Sequence, residues 1–283
     1  MSESFEQLRE WVGRKELRQD TVTAWPIAAL AATLDDVKRV TSREGEPVPP
    51  GWHWTFFLEA KPASELGSDG HPKRGGFLPP IALPRRMWAG GRLEFLRPLK
   101  IGQNITRESE IISVEPKSGR SGTLVFVTVR HTVSAAGSAA IIEEQDIVYR
   151  DAAKKGDPLP PGKQAPENPQ WTRHMFADSV LLFRYSALTF NGHRIHYDEN
   201  YALNEEHYPG LVVHGPLQAT LLLDLCRHNA DRPVKKFEYR AQYPMFAGNT
   251  FTVNGNLDTG ASTADVWTAS EAGFYAMRGT ASF

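Results

Sequence analysis

The chain has 283 residues, with 32 basic against 33 acidic side chains, a formal net charge of −1 and a single cysteine, Cys226. That length buries a substantial core in one large or two ordinary domains, and the charge balance disfavours a phosphate-tracking nucleic-acid face. One thiol excludes an intrachain disulfide and any cysteine-cluster metal site, and no apolar run approaches the roughly 20 residues of a membrane span.

In chain order, MSESFEQLREW has neither a basic n-region nor an apolar h-region, so no secretory signal is expected, and a cytoplasmic, reducing setting is the default. Phe5, Leu8, Trp11 and Val12 recur at helical spacing among charges and predict a surface helix. A second helix-like stretch, 23–34, ends at Asp35-Asp36 with no histidine following. The strand-like segment RLEFLR (92–97) then leads into Pro98-Leu-Lys-Ile-Gly-Gln-Asn-Ile-Thr106. KFEYRAQY (236–243) leads into Pro244-Met-Phe-Ala-Gly-Asn-Thr-Phe-Thr252, which repeats P-x-x-x-G-x-x-(apolar)-Thr 146 residues later. Pro-x-x-x-Gly is also a common turn. Here both copies are followed by alternating apolar and polar segments rich in Val, Ile, Phe and Tyr, in the same order. Short gaps between these segments favour antiparallel hairpins. The Pro-, Gly- and Lys-rich stretch 151–170 reads as an exposed linker, giving domains over 1–150 and 171–283.

The second half holds the chemistry-bearing residues. Asn191 and His196 follow a helical stretch over 178–190, and His214-Gly215-Pro216 opens a stretch that is apolar nearly all round, from Leu217 to Leu225. Such a helix must be enclosed on most sides, and Pro216 suits a first helical turn. An antiparallel sheet curled around one buried helix satisfies both observations. The expected class is α+β, a double hot-dog: two antiparallel sheets, each wrapped around a central helix. The polar pair and the helix start face one small pocket in that arrangement, which points to chemistry on an acyl carbonyl.

FRYSALTFNGHRIHYDENYA followed by LVVHGPL resembles the signature of the MaoC-like, (R)-specific enoyl-CoA hydratases and dehydratases. The spelling Thr-Phe-Asn-Gly-His-Arg-Ile-His-Tyr-Asp, together with LPRRMWAGGRLEFLRPLKIGQ (83–103), is similar to the double-hot-dog branch that includes mesaconyl-C4-CoA (3-methylfumaryl-CoA) and itaconyl-CoA hydratases. The resemblance implies water addition to a short, branched dicarboxylic enoyl-CoA, or the reverse dehydration. No cofactor is implied, because CoA belongs to the substrate. It also implies a catalytically silent first half. In two positions the chain departs from the family: Asn191 stands where the resemblance implies an aspartate, and His193 where it implies an asparagine.

An amide takes no proton near neutrality, so His196 is the expected acid–base group and Asn191 the residue that positions water. Asn191 reads equally as the left-handed C-cap of the preceding helix, and the two roles are compatible. His196 also reads as a surface or capping histidine. Gly215 offers a main-chain N–H at a helix start as an oxyanion donor; close packing would explain a glycine there as well. His193, His214, Arg194, Arg184, Arg85 and Arg86 are the candidate substrate-binding residues, the arginines for CoA phosphates or a substrate carboxylate. His193, His196, His207 and His214 cluster in sequence, but without HExxH or another ligand spacing no metal is expected. A hot-dog thioesterase and a non-catalytic acyl-thioester binding protein are the competing classes. The expected partner is an acyl-CoA thioester, without nucleic acid or membrane, and a homodimer is compatible with the fold.

Overall fold

A computed structural model describes residues 5–119, 122–152, 156, 159 and 162–283. The first half runs α1 (Phe5–Arg9), β1 (Lys15–Thr21), α2 (Ala24–Thr33), β2 (Arg85–Phe95), β3 (Asn104–Gly119), β4 (Gly122–Ala135) and β5 (Ser138–Arg150). The second runs β6 (Trp171–Phe176), α3 (Ser179–Leu188), α4 (Glu199–Asn204), α5 (Gly215–Asn229), β7 (Lys236–Ala241), β8 (Thr250–Asp258), β9 (Thr263–Ser270) and β10 (Tyr275–Ser282). Among the described residues ten strands form one sheet in the order β1-β3-β4-β5-β2-β7-β10-β9-β8-β6, and their pairings are antiparallel.

Outward from the β2–β7 seam both halves have the same strand order, which is the expected double hot-dog. The sheets are joined edge to edge. At the seam a Cβ on Gly90 would lie 2.5 Å from the Tyr239 carbonyl oxygen, so only glycine lets these backbones meet. The Pro-x-x-x-Gly repeat is a structural repeat and not a mere turn. Gly102 N–H donates to Val22 O at 2.8 Å, and Gly248 N–H to Ala177 O at 2.7 Å. Likewise Val48 N–H donates to Leu99 O, and Val213 N–H to Met245 O, both at 2.8 Å.

Counting on from those matched bonds puts the single 3-10 turn Trp52–Thr55 where the second half starts α5. The chain leaves it extended at Phe56 and crosses a stretch containing Pro62, Pro72, Pro79, Pro80 and Pro84 before β2. Each proline withholds an N–H, so no long helix forms there. The expected central helix is thus present at full length only in the second half, where all ten residues from Leu217 to Cys226 are buried. Around α5 one core draws on both halves, including Ile27, Leu30 and Leu34 from the region of α2 and Leu181 and Leu182 of α3. The buried Asp224 of α5 accepts from Trp52 Nε1 at 3.2 Å and Arg227 Nη2 at 3.0 Å, and burial pushes its carboxyl up to about 6. Arg227 also pairs with the buried Asp36, tying the end of α2 to the end of α5.

The edge strands β1 and β6 are not among the segments the sequence marks as strands: KELRQDT holds a single apolar residue. Within 151–170, residues 153–155, 157–158 and 160–161 lie outside the described residues. Lys163 and Ala165 pair with Tyr275 and Gly273. No helix among the described residues is long and apolar enough to cross a membrane.

Candidate active site

The loop after α3 is built by local hydrogen bonds. Asp178 caps α3 by accepting from Leu181 N–H at 2.7 Å. At the other end Asn191 N–H donates to Ser186 O at 2.8 Å and Phe190 N–H to Ala187 O at 3.4 Å, a Schellman ending. The left-handed residue is Phe190, φ 48, rather than Asn191 as the sequence suggests. A non-glycine residue held there costs about 1–3 kcal/mol, strain that recurs at functional sites. Freed from capping, Asn191 accepts through Oδ1 from His193 N–H at 3.0 Å. That bond assigns Oδ1 to the turn and leaves the amide N–H₂ as the group to face a ligand.

A loop from the first half locks against this turn. Arg194 N–H donates to Asp69 O at 2.9 Å and its guanidinium to Ser68 O at 3.0 Å. A Cβ on Gly70 would fall 1.9 Å from Gly192 O, so this contact requires glycine. Arg194 also pairs with Asp198 at 2.7 Å. It therefore staples two loops, outside the cavity described next.

His196 is 7 % exposed, and its Nδ1 lies 2.7 Å from the Val212 carbonyl oxygen. A carbonyl only accepts, so Nδ1 carries the proton and Nε2 keeps its lone pair. Burial pulls the imidazole down to about 4, against the opposing bond to Val212. The ring is therefore a neutral base at neutral pH. Its face stacks on His214, with centroids 3.6 Å apart. His214 is fully buried, and its Nε2 lies 2.8 Å from Ser186 Oγ. His214 thus supports His196 from behind and does not line the cavity. The next residue, Gly215, opens α5 and does line it. A Cβ there would meet nothing closer than 3.9 Å, so packing does not demand glycine.

The cavity has a volume of about 1760 Å³ and reaches across both halves. It brings together Asn191, His193, His196, Gly215, Arg85 and Arg86. Arg184, exposed on α3, is absent from its wall. Arg85 is buried and paired with Glu206 at 2.7 Å, which leaves it little free charge. His71 lines this cavity with Asp69 held against it, and neither was legible as a site residue. His71 lies 4.2 Å, ring centroid to ring centroid, from His193, and its Nδ1 is 3.1 Å from Asp69 Oδ2. Only a histidine in a loop rich in Gly, Pro and charge marked it in the sequence. Asp69, His71 and His193 bring three ligand-type atoms within 4.8 Å of one another. The fields of Arg86 and Arg74 on His71 favour an anion over a metal ion there.

In the first half the cavity is floored by polar side chains. Glu16, Ser109, His131 and Glu143 stand opposite one another on β1, β3, β4 and β5, and all line the cavity. Glu143 accepts from Trp54 Nε1 at 2.9 Å and lies 3.0 Å from His53 Nε2. Burial alone would raise its carboxyl, but the contacts with His53, His131 and Gln145 outweigh it and hold it down to about 2.

The family model for hydroxyacyl-thioester dehydratase type 2 matches residues 51–247. The chain is 50% identical over 239 residues to a mesaconyl-C(4)-CoA hydratase of Chloroflexus aurantiacus, covering 83% of this chain and 84% of that one. Its backbone is similar to a solved MaoC-like dehydratase, with TM-score 0.69, 15% identity, and coverage of 97% and 99%. A Mycobacterium tuberculosis protein described as having a double hotdog fold matches with TM-score 0.56 and 15% identity over 99% of this chain and 98% of that one.

Proposed function

Because this chain belongs to the hydroxyacyl-thioester dehydratase type 2 family, we propose that it adds water across the C=C bond of a short enoyl-CoA of the mesaconyl-C4-CoA kind, or removes it in reverse. The observation that carries the reading is the pairing of His196 with the start of α5. A neutral imidazole with a free Nε2 and the helix N-terminus border one cavity.

The amide of Asn191 holds the water by donating to its oxygen. His196 Nε2 takes one water proton as the oxygen bonds to Cβ, and the C=C electrons move through Cα to the thioester oxygen. That oxygen gains negative charge, which the Gly215 N–H and the positive end of α5 stabilise. The imidazolium then returns the proton to Cα, so the ring ends neutral. Two features support this assignment. Nδ1 is fixed by Val212, so the basic nitrogen cannot rotate away, and His214 stacks against the ring face. The polar floor of the first half supports a short acyl group. A long alkyl chain laid on Glu143, His131 and Glu16 would strip water from them without replacing its hydrogen bonds.

Purified protein incubated with crotonyl-CoA and mesaconyl-C4-CoA should show loss of enoyl absorbance without release of thiol. Free CoA with the double bond intact would make it a thioesterase, and no change in either signal would make it a binding protein.

A further inference from the structure

The cavity wall beside His196 carries more positive charge than its neighbours neutralise. Arg86 stands opposite Tyr149 across β2 and β5 and lines the cavity. Unlike Arg85, which is paired with Glu206, Arg86 forms no ion pair with a carboxylate among the described residues; its charge bears on the buried Tyr149 hydroxyl, which finds no hydrogen-bond partner among them. A second guanidinium, Arg74, donates to the carbonyls of Ile81, Leu83 and Pro84 and lies 5.6 Å from the Tyr149 ring centroid. Carbonyls orient that charge without cancelling it. The one carboxylate of the cluster, Asp69, is turned to His71, accepting from its backbone N–H at 3.0 Å and facing its Nδ1 at 3.1 Å. Burial lowers both His71 and His193, so neither adds charge at neutral pH. Two guanidinium charges against one carboxylate leave this flank net positive, in a partly buried place where charge is weakly screened.

We propose that Arg86, flanked by His193, is the recognition site for a carboxylate borne on the β-carbon of the acyl group. The inference rests on the hydratase reading for the orientation of that acyl group. Water from His196 must reach Cβ, so whatever binds a substituent one bond beyond Cβ has to stand next to His196. His193 does so, its ring centroid 5.4 Å from that of His196, with Arg86 and His71 acting on it electrostatically. A guanidinium grips a carboxylate through two parallel N–H donors. It also penalises an uncharged acyl group, which would cover Arg86 and leave its charge unpaired. Selectivity then comes from the wrong substrate's penalty as well as the right one's bond.

Calorimetric titration of the full chain with succinyl-CoA and butyryl-CoA tests this. Both are saturated and cannot be hydrated, and they differ at Cβ by a carboxylate against a methyl group. The wild type should prefer succinyl-CoA by roughly 10- to 100-fold. In Arg86→Gln that preference should shrink to within about threefold, and Arg86→Lys, which keeps the charge but not the fork, should restore part of it. A wild type without the preference, or a folded Arg86→Gln or Arg86→Lys variant retaining all of it, overturns the proposal. Because neither ligand turns over, this result is independent of the enoyl-absorbance assay, which alone decides whether the chain is a hydratase.

Discussion

One register row, read in both halves, shows how a repeated fold came to hold one site. In the second half the row is Trp171, Gly255, Val266, Gly279 and Tyr239. In the first it is Glu16, Ser109, His131, Glu143 and Leu93. A Cβ on Gly255 would lie 3.4 Å from Leu225 of α5, so that face is shaped to a helix. Opposite that row the first half has a 3-10 turn and a proline-rich crossing in place of a long helix. With no long helix to pack against, the row carries ionised and hydrogen-bonding groups and becomes the floor of the cavity. A shortened helix in one half leaves the space, and the N-terminus of the intact helix borders it.

The sharpest way to break this comparison is His196→Ala. It should lower kcat by about 10²–10⁴-fold with the melting temperature of a folded protein retained. Near-normal turnover would remove His196 from the mechanism. Next in size, Glu143→Ala strands His53, Trp54 and Gln145 around a lost charge and should destabilise the fold by about 3 kcal/mol, read by denaturant titration. Stability equal to wild type would mean that the first-half row is hydrated and not a built wall.

Two pH profiles sharpen the contrast. The Glu143 carboxyl is held down to about 2 from an ordinary 4.5. A depressed carboxyl stabilises the folded state fully above about pH 4.5 and loses that contribution as pH falls toward 2. Glu143→Gln should flatten the wild-type slope of stability in that window. In the second half, burial lowers His196 to about 4, so its base form persists well below neutrality. The acid limb of kcat/KM should fall near pH 4 and not near 6.5. A limb near 6.5 would place the working base elsewhere.

Smaller effects follow from the loop. Asn191→Asp keeps an oxygen for His193 N–H and restores a carboxylate, so activity on crotonyl-CoA should be retained or rise. Complete loss in a folded variant would mean that the N–H donor of the amide, which a carboxylate lacks, is required. Arg184→Ala should be smallest of all, changing stability by less than about 0.5 kcal/mol and leaving kcat/KM within about twofold, because the side chain is exposed and away from the cavity.

Much of this was legible residue by residue. The segment TADVWTAS alternates as a strand and is β9, residue for residue, and the all-round apolar run after His214-Gly215-Pro216 is α5. The spacing of Asn191, His196 and Gly215 led to three groups that do border one cavity. Other positions gave no signal because their roles depend on distant partners. Lys15–Thr21 is an edge strand only because β3 offers it a ladder. Asp69 and His71 sit in a loop without periodicity, and they reach the site because Gly70 and Gly192 let two backbones touch. His214 looked like a ligand contact and is instead the ring beneath His196.

By itself the sequence determined what short-range physics can write: alternation for strands, a helix with no polar face, a repeated Pro-x-x-x-Gly turn, and the residue types needed to move a proton near a carbonyl. Tertiary structure decided which half kept its helix, which row of the sheet faced water, which arginine was neutralised and which was left open, and which nitrogen of His196 was free. Each of these turns on burial and on partners far away in the chain. Desolvation and hydrogen bonding act across space, so no local reading of residues fixes them.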